Sequence, residues 1–407
     1  MLTLIRMLAG TALLWAWIGS PAASMAPENQ LVPVASGVQY QLIDRWDVDR
    51  LNQILKVDTP KFAGIPITYS PATNAVRLYR VTYSSLIPER DNKPIVATGL
   101  LAIPDISGTS FPMVSYQHGT VYLKQQVPSV PEQSEETQLM IAQFAGQGYV
   151  VIGTDYFGMG NSDQPEGYLV KGSQQQASVD MLAASRAVLD QMKIETNKLF
   201  LTGWSEGGFV TMAFLEKLEG LGVPVDAAAT ASAPADGVAM MRGALQFPRK
   251  IDAPWLGILF ILTAFSFENY YGVPELARSV ITDEAYELAR KAYERKPLDP
   301  AEIPADLHKL VRAEYFDPLF FANSAYGRLV ASTDAYHWVF KTPLRNYYGE
   351  ADEVVSPGLA QLPMHYQHAV GSGNEKVEAI STGETTHRGT FASAVPQWKA
   401  WFDALSK

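Results

Sequence analysis

The sequence of 407 residues contains no cysteine. It can therefore form no disulfide bond and no thiolate metal site, and it offers no cysteine for lipid attachment. Basic residues are also few, since 32 Lys and Arg against 42 Asp and Glu leave a formal net charge of −10. This charge, without any basic run, argues against nucleic acid or an anionic membrane as a partner. H-E-x-x-H and Walker motifs are missing, as is G-x-G-x-x-G after the first strand, so we expect no metal and no nucleotide cofactor.

A long apolar run is the next missing feature. The apolar stretch at 7–18 is about a dozen residues, whereas a membrane-spanning helix needs roughly 20, so we expect no stable membrane span. Arg6 precedes this stretch and small residues at 20–24 follow it, which is the pattern of an export signal. We predict a signal peptide at 1–24, cleaved within 22–26, and a periplasmic or secreted protein. An uncleaved membrane anchor is the alternative.

Strand-like and helical patterns alternate along most of the chain. Residues 76–83 and 94–104 have the alternation typical of antiparallel neighbours, and 149–155 is continuously apolar like a buried strand. A long amphipathic helix is predicted at 174–192. Such alternation predicts an α/β fold with a mostly parallel central sheet flanked by helices. Residues 25–75, rich in proline and polar residues, are expected to wrap the surface.

The alternation breaks over residues 237–335. This segment is helical and aromatic in character, and strand-like patterns resume only at 344–349 and 376–380. We therefore predict a helical cap at 237–335, inserted between two strands of the sheet. The cap would divide the α/β core into a first part at 76–236 and a second part at 336–407.

The most informative motif is Gly-Trp-Ser-Glu-Gly-Gly at 203–208. It follows a strand-like run at 198–202 and precedes a helical pattern at 209–218. Strand, turn and helix are the context of the G-x-S-x-G nucleophile elbow in the α/β-hydrolase fold, where a sharp turn exposes the serine Oγ. A serine is a poor nucleophile unless a base takes its proton and an acid orients that base. Ser205 is therefore the predicted nucleophile of a serine hydrolase.

Asp352 and His387 supply these partners in the chain order of the fold, which is Ser, then Asp or Glu, then His. Each follows a predicted strand, and His387 is the one histidine of six that lies both after Asp352 and at the end of a strand. We predict a Ser205, Asp352 and His387 triad. Glu350 and Glu353 are the alternative acids.

The tetrahedral intermediate of acyl transfer needs backbone N–H donors for its oxyanion. We predict the amide of Glu206, the residue after the nucleophile, together with Gly119 or Thr120 in the loop after the strand at 111–116. His118 is interpreted as a structural residue of that loop. Four residues of the predicted cap are expected to line an acyl pocket: Met240, Met241, Phe247 and Trp255.

Five motifs together resemble the secreted lipase and esterase branch of the α/β-hydrolases, including the secretory lipase group with a helical cap. They are Y-Q-H-G-T at 116–120, D-Y-x-G-x-G at 155–160, G-W-S-E-G-G at 203–208, G-x-x-D at 349–352 and T-H at 386–387. The resemblance covers roughly residues 75–400. It implies hydrolysis of small-molecule or lipid esters through an acyl-enzyme, without a cofactor, and it implies no protein partner. The alternatives are a serine peptidase of the prolyl oligopeptidase or proline iminopeptidase type and an inactive hydrolase fold used for binding.

Overall fold

The computed structural model describes residues 30–407 except residues 36, 372, 374 and 375. The predicted signal peptide at 1–24 lies outside the described residues. Within them, ten strands form one sheet. In chain order the strands are β1 (Val32–Ala35), β2 (Val38–Trp46), β3 (Val76–Ile87), β4 (Lys93–Pro104), β5 (Ser110–Gln117), β6 (Val150–Thr154), β7 (Glu195–Trp204), β8 (Ala227–Ala231), β9 (Leu344–Tyr348) and β10 (Val377–Ser381).

Thirteen α-helices lie in the same described ranges. They are α1 (Val48–Gln53), α2 (Thr59–Ala63), α3 (Glu135–Gln143), α4 (Lys171–Gln191), α5 (Glu206–Leu221), α6 (Gly237–Gln246), α7 (Gly257–Tyr271), α8 (Leu276–Val280), α9 (Asp283–Tyr293), α10 (Pro318–Asn323), α11 (Ala325–Ala331), α12 (Pro357–Ala369) and α13 (His387–Leu405). A π-helical turn at Ile54–Asp58 joins α1 to α2. Short 3₁₀ turns occur at Pro88–Arg90, Pro131–Gln133, Ala145–Gln147, Pro300–Glu302, Leu307–Lys309 and Ala313–Phe316. None of the helices described here is long and apolar enough to cross a membrane.

The strands are arranged in the order β1-β2-β3-β4-β6-β5-β7-β8-β9-β10. Pairing is antiparallel from β1 to β4 and between β4 and β6, and it is parallel from β6 through to β10. Neighbouring residues of β7 face opposite sides, so that Phe200 belongs to one buried cluster and Leu201 to the other. A sheet buried on both faces explains the continuous apolar runs in its central strands. The predicted α/β fold with a mostly parallel sheet is confirmed.

The N-terminal segment contributes more than the surface wrap expected for residues 25–75. β1 and β2 extend the antiparallel edge of the sheet, while Trp46 and Leu51 are buried in the core. The prolines of this segment lie outside β2, whose own sequence alternates apolar and polar residues over positions 38–42. This segment is therefore a structural part of the sheet and core.

Six helices, α6 to α11, occupy residues 237–335 between β8 and β9, and no strand of the described sheet lies among them. We refer to this segment as the insertion. Its helix α7 is apolar on every side and almost entirely buried, as expected for a helix enclosed by its neighbours. The apolar residues of the insertion thus belong to the same buried cluster as one face of the sheet.

Candidate active site

Ser205 lies on the sharp turn between β7 and α5, at the carboxyl end of the parallel strands. Its backbone has φ +56° and ψ −124°. Residues other than glycine rarely adopt this combination, and where they do, it is commonly at functional sites. Two glycines make this turn possible. A Cβ on Gly203 would collide with the carbonyl of Gly207, and a Cβ on Gly207 would collide with the carbonyl of Gln117. These collisions explain the glycines on both sides of the serine.

The structure brings Ser205, His387 and Asp352 together in one chain of hydrogen bonds. The distance from His387 Nε2 to Ser205 Oγ is 2.9 Å. His387 Nδ1 lies 3.0 Å from each carboxylate oxygen of Asp352. Burial increases along this series of hydrogen bonds, because Ser205 is 9% exposed, His387 4% and Asp352 0%. The imidazole therefore reaches the serine on one side and a shielded carboxylate on the other.

Asp352 is held in its ionised form. Burial raises the pKa of its carboxyl, but the His387 imidazole and the backbone N–H of Val355 lower it, with the net result that the pKa lies below its usual value. The amides of Val354 and Val355 each donate to Asp352 Oδ1 at 2.9 Å. Hydrogen bonds to the charged form favour that form. A negative charge beside His387 stabilises an imidazolium.

Two further side chains fix the backbone of His387. Glu353 accepts its N–H at 2.9 Å, and the indole N–H of Trp204 donates to its carbonyl at 3.1 Å. The Trp204 ring also stacks on Phe391, at a centroid distance of 5.0 Å. Glu353 thus supports His387 through a hydrogen bond to its backbone, whereas Asp352 is the acid that contacts the imidazole. The other alternative acid, Glu350, accepts a hydrogen bond from the Ser381 hydroxyl at the surface.

The predicted oxyanion donors differ in availability. The Gly119 amide already donates to the buried carboxyl of Glu136 at 2.9 Å, so its assignment as a donor needs correction. The amides of Thr120 and Glu206 donate to no group among the described residues, and Glu206 opens α5, where amides have no partner within the helix. Both residues line the cavity beside Ser205. Thr120 and Glu206 remain the candidates.

Glu136 is a buried group that the sequence analysis did not identify. Besides the Gly119 amide, it accepts a hydrogen bond from the hydroxyl of Tyr116. Burial raises the pKa of its carboxyl to about 7, although its hydrogen bonds from Tyr116 and Gly119 lower it. The carboxyl secures the loop that carries Thr120. No local sequence signal separates this glutamate from Glu135, its exposed neighbour.

The cavity beside Ser205 encloses about 340 Å³. Two of the four predicted pocket residues, Met240 and Trp255, line it together with Ile258 and Leu259 of α7. The other two need correction. Met241 and Phe247 line a neighbouring cavity; Met241 is buried and Phe247 is 75% exposed. Consecutive helical residues point about 100° apart, which sends Met241 away from Met240.

An ion pair between the insertion and the core also borders the cavity. Arg295 follows α9 with φ +53° and binds Glu166 through contacts of 2.6 and 2.9 Å. Its third contact, at 2.5 Å, donates to the carbonyl of Val121 in the loop that carries Thr120. Both side chains are less than a tenth exposed. Sequence reasoning missed this pair because 129 residues separate its members.

The side chain of Glu206 lies buried beneath the cavity. Gln174 donates to it at 2.6 Å, and burial, followed by the nearby charge of Glu166, raises its pKa well above the usual value. The carboxyl group that follows the serine is therefore harder to ionise than a solvent-exposed glutamate. Over the described ranges, no group of three or more His, Cys, Asp or Glu side chains is arranged to hold a metal ion.

Comparisons with known proteins place the fold. A comparison with curated proteins found no match. Among solved structures, a candidate hydrolase from Legionella pneumophila superposes with a TM-score of 0.81 at 20% identity, covering 93% of this chain and 98% of the other. The rice cell wall degrading esterase LipA from Xanthomonas oryzae has a TM-score of 0.76 at 20% identity, covering 93% of this chain and 100% of the other. Candida antarctica lipase A has a TM-score of 0.57 at 15% identity, covering 85% of this chain and 77% of the other.

The likeness to these structures shows the α/β-hydrolase fold. A family model described as serine aminopeptidase, S33, matches residues 127–380, which is more than half of the chain and includes both Ser205 and Asp352. With the elbow geometry of Ser205 and the sheet topology, this match identifies the protein as a member of the serine aminopeptidase S33 family of α/β-hydrolases.

Proposed function

We propose that the protein is a serine hydrolase that cleaves carboxylic esters, with Ser205 as nucleophile, His387 as base and Asp352 as the orienting acid. The observation that supports this most directly is the hydrogen-bonded chain of these three side chains beside a cavity. Such a chain makes the serine hydroxyl nucleophilic at neutral pH. The proposal extends what the family alone implies, which is hydrolysis.

The reaction would proceed in two halves. His387 takes the proton of Ser205 Oγ as this oxygen attacks the acyl carbon, and the amides of Thr120 and Glu206 stabilise the negative oxygen that forms. Loss of one such donor typically lowers kcat by about 10²–10³. His387 then gives its proton to the leaving alcohol, and an acyl-enzyme remains. Water repeats the sequence and releases the acid.

The charges around the cavity favour an ester over an amino-terminal peptide. An aminopeptidase must bind the ammonium group of its substrate, but the cavity is lined by Arg388, a cation, and by Arg295, whose charge is balanced by Glu166. Burial raises the pKa of Glu206 well above its usual value, which disfavours a negative charge there, and the carboxylate of Glu353 already accepts the His387 amide. The names of two similar structures, an esterase and a lipase, point the same way.

The size of the cavity suggests the acyl group. A volume of about 340 Å³ lies at the lower end of the roughly 300–1,000 Å³ common for ligand sites. Its apolar wall consists of side chains from the insertion, among them Met240, Ile258 and Leu259. These dimensions fit a short or medium acyl chain better than a long one.

A series of p-nitrophenyl esters from acetate to palmitate, run beside peptide naphthylamides, tests the proposal. We expect ester turnover with a maximum at short or medium chains, and Ser205→Ala should lower kcat by about 10⁴ or more. Ser406→Ala, at the exposed carboxyl end, is the matched control and should behave as wild type. Naphthylamide cleavage without ester turnover would refute the proposal, as would an active Ser205→Ala variant.

A further inference from the structure

A second, smaller cavity shares a wall with the one beside Ser205. It encloses about 170 Å³. The two cavities have five lining residues in common: Thr120, Val121, Tyr122, Trp204 and Arg388. The smaller one continues towards Phe62 of α2 and Gln126, away from the apolar wall of the insertion. A substrate cleaved at Ser205 therefore has two adjoining spaces available, and only the larger one includes the apolar residues of the insertion.

Arg388 stands where these two spaces meet. It directly follows His387, and its guanidinium lies over the ring of Phe62, with the central carbon 4.7 Å from the ring centroid. A guanidinium held over a ring face can still donate its N–H groups to a ligand, and its planar fork binds a carboxylate through two parallel hydrogen bonds. The contact with Phe62 thus helps to position the group before any ligand arrives.

The charge of Arg388 is not compensated by the protein around it. No carboxylate lies within 4.0 Å of its guanidinium in the part of the chain that the structure covers. Of the four acids lining the two cavities, Glu353 accepts the His387 amide, Glu136 holds Gly119 and Glu206 accepts a hydrogen bond from Gln174. Glu135 is exposed on α3 and makes no ion pair with Arg388. A cation in the first turn of α13 is also disfavoured by the helix dipole.

The direction of the reaction indicates which part of the substrate meets Arg388. The leaving oxygen takes its proton from His387 and must therefore lie within hydrogen-bond reach of that ring. The alcohol portion extends from this oxygen, whereas the acyl chain fits the apolar wall formed by Met240 and Leu259. His387 and Arg388 both line the cavity beside Ser205, and the smaller cavity beside Arg388 includes none of the residues of that apolar wall. The alcohol portion is consequently the part that enters the space beside its guanidinium.

We propose that Arg388 binds a carboxylate on the alcohol portion, so that the preferred substrates are acyl esters of alcohols that carry a carboxylate. This inference rests on the proposed ester hydrolysis and names its substrate class. Because Arg388 is exposed, its pairing energy is screened by solvent. The preference for an acidic over a neutral alcohol should therefore be about fivefold in kcat/KM, the upper end for exposed ion pairs.

Two chromogenic butyrate esters test the proposal. One is the ester of a nitrophenol that carries a carboxylate on its ring, and in the other a carboxamide of nearly equal size replaces the carboxylate. The measured quantity is the ratio of kcat/KM for the two esters, which does not depend on how much of a variant folds. We expect a wild-type ratio of about five that declines towards one at high ionic strength, where exposed charges are screened.

Variants at residue 388 make the assignment specific. Arg388→Gln should bring the ratio to about one, and Arg388→Glu should invert it. Arg290→Gln removes a cation from the outer surface of α9 and changes the net charge equally, so it should keep the wild-type ratio. A wild-type ratio of one overturns the proposal, and so does a ratio that Arg388→Gln leaves unchanged. Failure of ester hydrolysis itself is distinguishable, because wild type would then turn over neither ester.

Discussion

Breaking the ion pair between Arg295 and Glu166 should destabilise the protein strongly. The two side chains are only 5% and 8% exposed, so water cannot compensate the charge of a partner that is left alone. Removing one member of a buried pair typically costs about 3–5 kcal/mol. Since the whole free energy of unfolding of a protein is about 5–15 kcal/mol, Arg295→Met should lose a large share of it. Combining it with Glu166→Gln should restore most of the loss.

Activity should respond differently from stability in these variants. Arg295 also donates to the carbonyl of Val121, one residue after Thr120, whose amide is a proposed oxyanion donor. The double variant removes both charges but still lacks this hydrogen bond. We therefore expect its kcat to stay about tenfold low, short of the 10²–10³ that follows complete loss of a donor, while its stability recovers.

Urea unfolding followed by circular dichroism and by tryptophan fluorescence measures the stability, and p-nitrophenyl butyrate hydrolysis measures kcat. Arg290→Met is the matched control, because Arg290 lies on the same segment but forms exposed pairs with Glu287 and Glu294; its unfolding midpoint should not move. The reasoning is refuted if Arg295→Met unfolds at the wild-type midpoint. It is also refuted if the double variant regains stability and full kcat together.

Three further predictions concern the support of the site and the shape of its cavity. Glu136→Gln should flatten the pH dependence of stability, which urea midpoints at a series of pH values measure. Folding raises the pKa of the Glu136 carboxyl from 4.5 to about 7. The protonated carboxyl therefore stabilises the protein fully below pH 4.5, and this contribution of about 3 kcal/mol is lost as the pH rises to 7. Trp204→Phe removes the hydrogen bond to His387 and should lower kcat for p-nitrophenyl butyrate about three- to tenfold. Met240→Trp should shift the preferred chain length of p-nitrophenyl esters towards acetate, whereas Phe247→Ala, outside the cavity, should not.

The sequence allowed the central serine, histidine and aspartate to be predicted because each follows the end of a strand and their chain order is characteristic of the fold. Parallel strands bring such loops to one edge of the sheet. The loops that carry Asp352 and His387 were therefore expected close to Ser205 in space, although they are remote from it in the chain. The structure places Asp352 and His387 at hydrogen-bond distances that this reasoning could not supply.

The side chains around this centre were harder to predict because their partners are remote in sequence. Gly119 is disqualified as a donor by Glu136, on another element. Met240 and Met241 look alike in the sequence, and only the orientation of α6 decides which one reaches the cavity. The strand β2 was overlooked for a different reason, since the proline content of the surrounding segment outweighed an alternation that extends only over residues 38–42.

The contact of Arg295 with Val121 has a consequence for building chimaeras of this enzyme with its relatives. Insertions of hydrolases are attractive units to exchange, because the nucleophile, base and acid all belong to the core. Here the core loop that carries Thr120 takes one of its supports from the segment that would be exchanged. A transplanted insertion would bring a new acyl-binding wall but would leave Val121 and Glu166 without their cation. A chimaera should therefore keep Arg295 and its turn together with the core. The exchange boundary then differs from the one that the ends of the helices and strands would suggest.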